Sequence, residues 1–201
     1  MSFPPAHMLI GAGLAEVAWS ASPRVLRWKA WTVAALVAAL PDVDLLIGWA
    51  SHRGPVLHGT FTHSLAAVVV CTLLAIGLAG PRWGVYTALG YGSHLLVDLL
   101  DSRGTTNVAL GWPFTRASSS GLDALFQPVP VETSLGLEHA IGSVMNPTAL
   151  RMLLEQTALA AAIFVALLAV GRAVRLARAR WLPIRPAPRA ADEPDLSGGA
   201  A

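Results

Sequence analysis

What this sequence has little of is charge. Of its 201 residues, 13% are Asp, Glu, Lys or Arg and 54% are hydrophobic, whereas an ordinary soluble domain carries about 25% charged residues. That balance excludes a typical soluble domain and points to the membrane. Cysteine is almost missing: the single Cys71 excludes an intramolecular disulfide and any thiolate-rich zinc site. There is no Gly-x-Ser-x-Gly elbow, no Walker loop and no His-Glu-x-x-His pair, so serine-hydrolase, nucleotide-hydrolysing and zincin mechanisms have no support. No basic stripe interleaved with aromatics occurs either. The net charge of +2 comes largely from arginines after the last apolar segment, so no nucleic-acid partner is expected. The amino-terminal MSFPPAHMLIGAG lacks the basic region of a signal peptide and is expected to be retained.

What is present is a series of apolar segments. The first, Met8 to Ala21, is short for a bilayer crossing and carries Glu16. After Arg24, Arg27 and Lys29, the run from Ala30 to Ala50 is interrupted by Pro41-Asp42-Val43-Asp44. Proline lacks a backbone donor, so it should disturb the helix there and free a carbonyl. A Gly- and Pro-containing loop from Ser51 to His63 precedes an apolar helix from Ser64 to Gly80, with Thr62 or Ser64 as its N-cap. A Pro81-Arg82 turn leads to the span Trp83 to Asp101. A long Gly/Ser/Pro-rich connection follows, with a short helix expected around Leu135 to Met145. Thr148 to Gly171 is the last span, with Arg151 and Glu155 spaced to pair near its start.

The expected fold is therefore all-α: a polytopic integral membrane bundle of about five spans, formed by residues 1–171 and followed by a basic tail, 172–201, expected to be disordered and cytoplasmic. With the tail inside and the spans alternating, Arg24, Arg27, Lys29, Arg82 and the six arginines from Arg172 to Arg189 lie in the cytoplasm, ten of the 14 basic residues. The same alternation carries His7, Asp42, Asp44, His58, His63 and Asp98 to the extracytoplasmic side, although none of them entered the charge count.

His94, Asp98 and Asp101 stand at i, i+4 and i+7, so a helix presents one imidazole and two carboxylates on one face. Such groups are costly in an apolar helix unless paired, metal-bound or facing water. A His-x-x-x-Asp pair can supply one nitrogen and one oxygen to an ion, or let Asp98 bridge two ions; a plain helix-joining hydrogen bond is the competing reading. Asp42 and Asp44 diverge on a regular helix but can converge if Pro41 unwinds it, one as ligand and one as its supporting partner. His58 and His63 are about 140° apart on a helix, so they suit a loop and the turn after it. His52 is a further loop histidine, Arg53 could hold an anionic group, and His139 reads as ordinary surface. Imidazoles and carboxylates without thiolate fit a catalytic divalent site, with zinc first and manganese or iron also accommodated.

In order and spacing, four motifs resemble the YdjM-like family of inner-membrane metal-dependent hydrolases. They are the early His7, Pro41-Asp42-Val43-Asp44, His58-Gly59-Thr60-Phe61-Thr62-His63-Ser64, and His94-Leu95-Leu96-Val97-Asp98 followed by Gly104 and Trp112-Pro113-Phe114. Gly59 stands where the family often has arginine, and His52-Arg53-Gly54 lies upstream; either His52 or His58 can be the matching histidine, and the spacing to His63 favours His58. Asp101 replaces a usual threonine, and Thr133 to Glu138 weakly resembles a downstream element, which adds Glu138 as a site candidate.

The resemblance implies a multi-pass protein of the bacterial inner membrane, in contact with membrane lipids. It also implies a hydrolase acting on a small-molecule or lipid-like substrate, for which its position favours phosphoesters. The expected metal ligands are His7, Asp42, His58, His63, His94 and Asp98, with Asp44 and Asp98 in catalytic roles. A metal or proton transporter, or a non-catalytic membrane protein, would use the same groups differently. Transport requires polar groups through the other half of the bundle, where the second to fourth spans offer Thr32, Thr72, Tyr86 and Thr87 but no carboxylate.

Overall fold

The structure is a computed structural model that describes residues 3–18, 24–51, 58–101, 108–115, 129–131 and 135–181. Among the described residues there are helices and no strands: α1 (Pro4–Ala18), α2 (Arg24–Ala39), α3 (Val43–Ala50), a 3-10 turn (Phe61–His63), α4 (Leu65–Ala79), α5 (Pro81–Asp101), α6 (Leu137–Val144) and α7 (Pro147–Trp181). The all-α expectation therefore holds.

Pro41 divides the second apolar run as its chemistry requires: α2 and α3 meet at a bend of 44°. Ser64 caps α4, its Oγ accepting from the Ala67 N–H at 3.1 Å. Gly80 makes the turn between α4 and α5 at φ 94°. Helix α5 starts at Pro81 rather than after it, because proline's fixed φ and missing donor suit the first helical position. Helix α7 continues to Trp181, beyond the end expected at Gly171, since Ala, Leu and Arg all favour helix there. Residues 182–201 lie outside the described residues.

Side-chain registers give the relative directions. Phe3 N donates to Gln156 Oε1 at 3.1 Å near one end, and Glu16 meets Arg175 near the other, so α1 and α7 run parallel. Helix α2 runs back along α1, and α5 runs parallel to α2. Their backbones approach around Ala34: a Cβ on Gly11 would come within 2.9 Å of the Ala34 carbonyl oxygen, and one on Gly90 within 2.4 Å. Small residues thus permit the close contact of the three helices. Helix α4 packs antiparallel on α5, and α6 touches α7.

The outside of this assembly is apolar. Helix α4 has no buried residue, and Val69, Val70, Leu73, Leu74 and Leu78 are each more than half exposed. Among the described residues, α7 alone is long and apolar enough to cross a membrane; α2 with α3 qualifies as one bent pair, and α4 is apolar but has 15 residues.

Candidate metal centre

Three positions follow directly from the break at Pro41. The carbonyl that proline would leave free by removing its own N–H is that of Val37, but Leu40 N recovers it at 3.2 Å. Ala38, in the last turn of α2, turns its carbonyl to another helix, where His94 Nδ1 lies 2.7 Å away. A carbonyl can only accept, so this nitrogen carries the proton, and in the neutral ring His94 Nε2 presents a lone pair. Gly90 makes the contact possible: one turn before His94, it brings α5 against Ala34, one turn before Ala38.

Asp42 lies in the bend and Asp44 in the first turn of α3, where it is completely buried. Asp44 Oδ1 is 2.9 Å from His58 Nδ1, while Oδ2 accepts from Thr62 Oγ1 and lies 3.3 Å from His63 Nδ1. Thr62 Oγ1 is also 2.9 Å from His63 Nδ1. Because Asp44 and the loop engage Nδ1 of His63, its Nε2 turns inward. Tyr91 fastens this loop to α5 by donating to the Thr62 carbonyl at 2.8 Å. The segment 108–115 lies over the same loop: Ala109 N donates to the Gly59 carbonyl at 2.9 Å, and the Trp112 ring is 6.2 Å from that of Phe61.

The inward-facing atoms converge. His63 Nε2 and His94 Nε2 are 3.1 Å apart. Asp98 Oδ2 is 3.4 and 3.1 Å from them, and Asp42 Oδ1 is 3.8 and 3.6 Å from them. His7, buried in α1 rather than at its edge, stacks on His94 with ring centroids 4.0 Å apart and places Nε2 3.5 Å from Asp98 Oδ1. Three overlapping groups have ligand atoms within 4.8 Å of one another: His7/His94/Asp98, Asp42/His63/His94 and Asp44/His58/His63.

With both Nδ1 atoms of His63 and His94 engaged as donors, the centre is a ring of electron pairs without a positive charge among them. Both nitrogens of His7, Asp42 Oδ2 and Asp98 Oδ2 are buried without a hydrogen-bond partner, a costly arrangement for an apolar interior. A cation answers that need. In its absence a proton does so: burial alone would push the loop residue His63 down, but hydrogen bonds to Asp42 and Asp44 and the charge of Asp98 outweigh it, so its pKa is pushed up to about 9. The donor set of imidazole nitrogens and carboxylate oxygens fits a divalent transition-metal ion.

All of His7, Asp42, Asp44, His58, His63, His94 and Asp98 thus come together. Asp44, expected in a catalytic role, lies behind His63 with both oxygens in contact with the loop, beside the imidazoles of His58 and His63. Glu138 does not join them: it is exposed on α6, as is His139. His52, Arg53 and Gly104 lie outside the described residues, as does the side chain of Asp101. Sequence reasoning missed Tyr91, whose signal was a phenol one turn before His94, and Thr62, whose place before an apolar helix made it resemble a cap.

A family model for the YdjM inner membrane protein matches residues 1–181. No curated protein and no solved structure matches the chain.

Proposed function

The chain belongs to the YdjM inner membrane protein family, and from that premise we propose that it is a metal-dependent hydrolase acting on phosphoester or lipid-like substrates at the extracytoplasmic face. The observation that carries this reading is the set of unsatisfied buried nitrogens and oxygens around His94 and Asp98. His63, His94 and Asp42 would hold a divalent ion, zinc first, with Asp98 beside both imidazoles and His7 on the far side of Asp98. When bound, such an ion supplies a hydroxide near neutral pH and stabilises charge on a phosphoryl oxygen. The chain's own residues do the positioning: Asp44 and Thr62 orient His63, and the Ala38 carbonyl orients His94. Asp98, touching both imidazoles, is the carboxylate assigned to the reacting centre.

In the same proposal α1, α2 with α3, α4, α5 and α7 are five crossings. Their alternating directions support it, as does the exposed apolar surface of α4. Helices of 15 residues reach about 22 Å, so α1 and α4 would require local thinning of the bilayer. Helix α7 carries its arginines past the opposite end of the bundle from the His/Asp centre, and that separation supports an extracytoplasmic site.

The test is turnover of a phosphodiester panel by the metal-loaded full chain in lipid, beside His94→Ala and Asp98→Ala. The expected result is hydrolysis that disappears in both variants; metal retention without turnover of any member would overturn the enzymatic assignment in favour of transport or storage.

A further inference from the structure

A cavity of about 420 Å³ opens beside the His/Asp centre, between α3, α6 and the start of α1. Its walls are almost wholly apolar, including Leu45, Trp49, Ala140, Ile141 and Val144, and the one charged residue among them is Asp42. Asp42 therefore belongs to two structures: Oδ1 faces His63 and His94, and the residue forms part of the cleft wall. The apolar cleft and the donor cluster thus meet at this one residue.

We propose that the cleft holds the alkyl chain of a single-chain lipid whose phosphate head sits at the His63/His94/Asp98 centre. This rests on the metal-dependent reading above, because Asp42 and Asp98 would repel an anionic head without a bound cation. The volume lies toward the low end of the roughly 300–1,000 Å³ typical of small-ligand sites and suits one chain rather than two. The lining supplies what a hydrocarbon needs and nothing that would hydrogen-bond a second polar group along its length. Val43, Leu46, Ile141 and Met145 are between 38% and 67% exposed, so the cleft is open along one side and a chain can enter laterally from a bilayer.

The probe is a series of non-hydrolysable n-alkyl phosphonates of increasing length, titrated into the zinc-loaded full chain in phosphatidylcholine nanodiscs. Bromine at the chain end makes quenching of Trp49 the readout, with Trp49→Phe giving the background from the other tryptophans. Affinity referred to the free aqueous probe concentration is expected to rise about fourfold per methylene until the cleft is full, and to require the metal. Ala140→Phe, which fills the cleft, and Ile141→Tyr, on its exposed rim, should each weaken the dodecyl probe at least tenfold while zinc content stays unchanged. Equal dodecyl affinity in wild type and Ile141→Tyr, or quenching that persists unchanged in Trp49→Phe, would overturn the proposal. The two readings fail separately: probe binding as described with no turnover of a dodecyl phosphoester overturns the hydrolase and leaves the cleft, whereas equal turnover of butyl and dodecyl phosphoesters overturns the cleft and leaves the hydrolase.

Discussion

Two buried polar clusters sit near opposite ends of α1, and they are built on opposite principles. At one end Glu16, fully buried, is closed on itself: Arg27 donates to both its oxygens at 2.7 and 2.6 Å, Trp31 Nε1 donates at 3.0 Å, and Arg175 lies 2.6 Å away. Negative charge meets positive charge, and α1, α2 and α7 are tied together. At the other end, near His7, carboxylates and imidazole lone pairs face one another with several atoms unpartnered. In the first cluster one carboxylate is matched by two guanidiniums, which reads as a structural clamp, even though Arg175 Nη1 makes an ion pair with Glu16 and no well-aligned hydrogen bond. In the second no arginine or lysine among the described residues faces the carboxylates, and that difference in charge balance separates a candidate cation site from a clamp when both are buried polar groups in an apolar bundle.

Mutation separates the two most sharply at their centres. His94→Ala or Asp98→Ala should lower metal affinity by more than about 100-fold, beyond what loss of a supporting partner does, with comparable loss of turnover; elemental analysis and hydrolysis assays check both. Glu16→Gln should do the reverse. Stability should fall toward the lower end of the about 3–5 kcal/mol expected for breaking a buried pair, because the arginine side chains are 33% and 26% exposed. Metal content should not change, and thermal unfolding in lipid beside elemental analysis would show a fault in the comparison if metal were lost. Asp44→Asn belongs to the orienting group, so metal affinity should drop about 10–100-fold by competition with a chromophoric chelator. Tyr91→Phe removes one hydrogen bond outside the centre and should cost about 1 kcal/mol, visible as a small drop in unfolding temperature with metal retained.

The remaining effect is on pH dependence. His63 in the metal-free protein is pushed up to about 9, above its unfolded value, so its proton contributes stability that is complete below about 6.5 and is lost as pH rises through about 9. Chelator-stripped protein should therefore become less stable across that interval, and metal-loaded protein should not show the decline. Glu16→Gln should leave this difference intact.

Much of this was legible in the sequence for particular physical reasons. The helix period put His94 and Asp98 on one face, Pro41 announced the bend, and Ser64 announced the cap. The order of the apolar segments implied helices of alternating direction, and the packing of α1, α2, α5 and α7 follows that alternation. Other features depend on tertiary approach and leave little trace in a linear pattern. Glu16 looked like an isolated charge because both arginine partners are supplied by other helices, one of them 159 positions later. The supporting role of Asp44 depends on the loop folding back over α3, and the His94 tautomer depends on a backbone carbonyl that no side-chain motif records. The reach of α7 to Trp181 was hidden because arginine-rich sequence resembles a solvated tail as readily as it continues a helix.

The central claim, that the open cluster is a metal centre and the closed one a clamp, is tested most directly by the metal stoichiometry of the full chain, reconstituted in lipid with zinc, manganese or iron and freed of excess ion. At least one tightly held ion per chain is expected in wild type and Glu16→Gln, and its loss in His94→Ala. Wild-type protein that retains none of the three would contradict it.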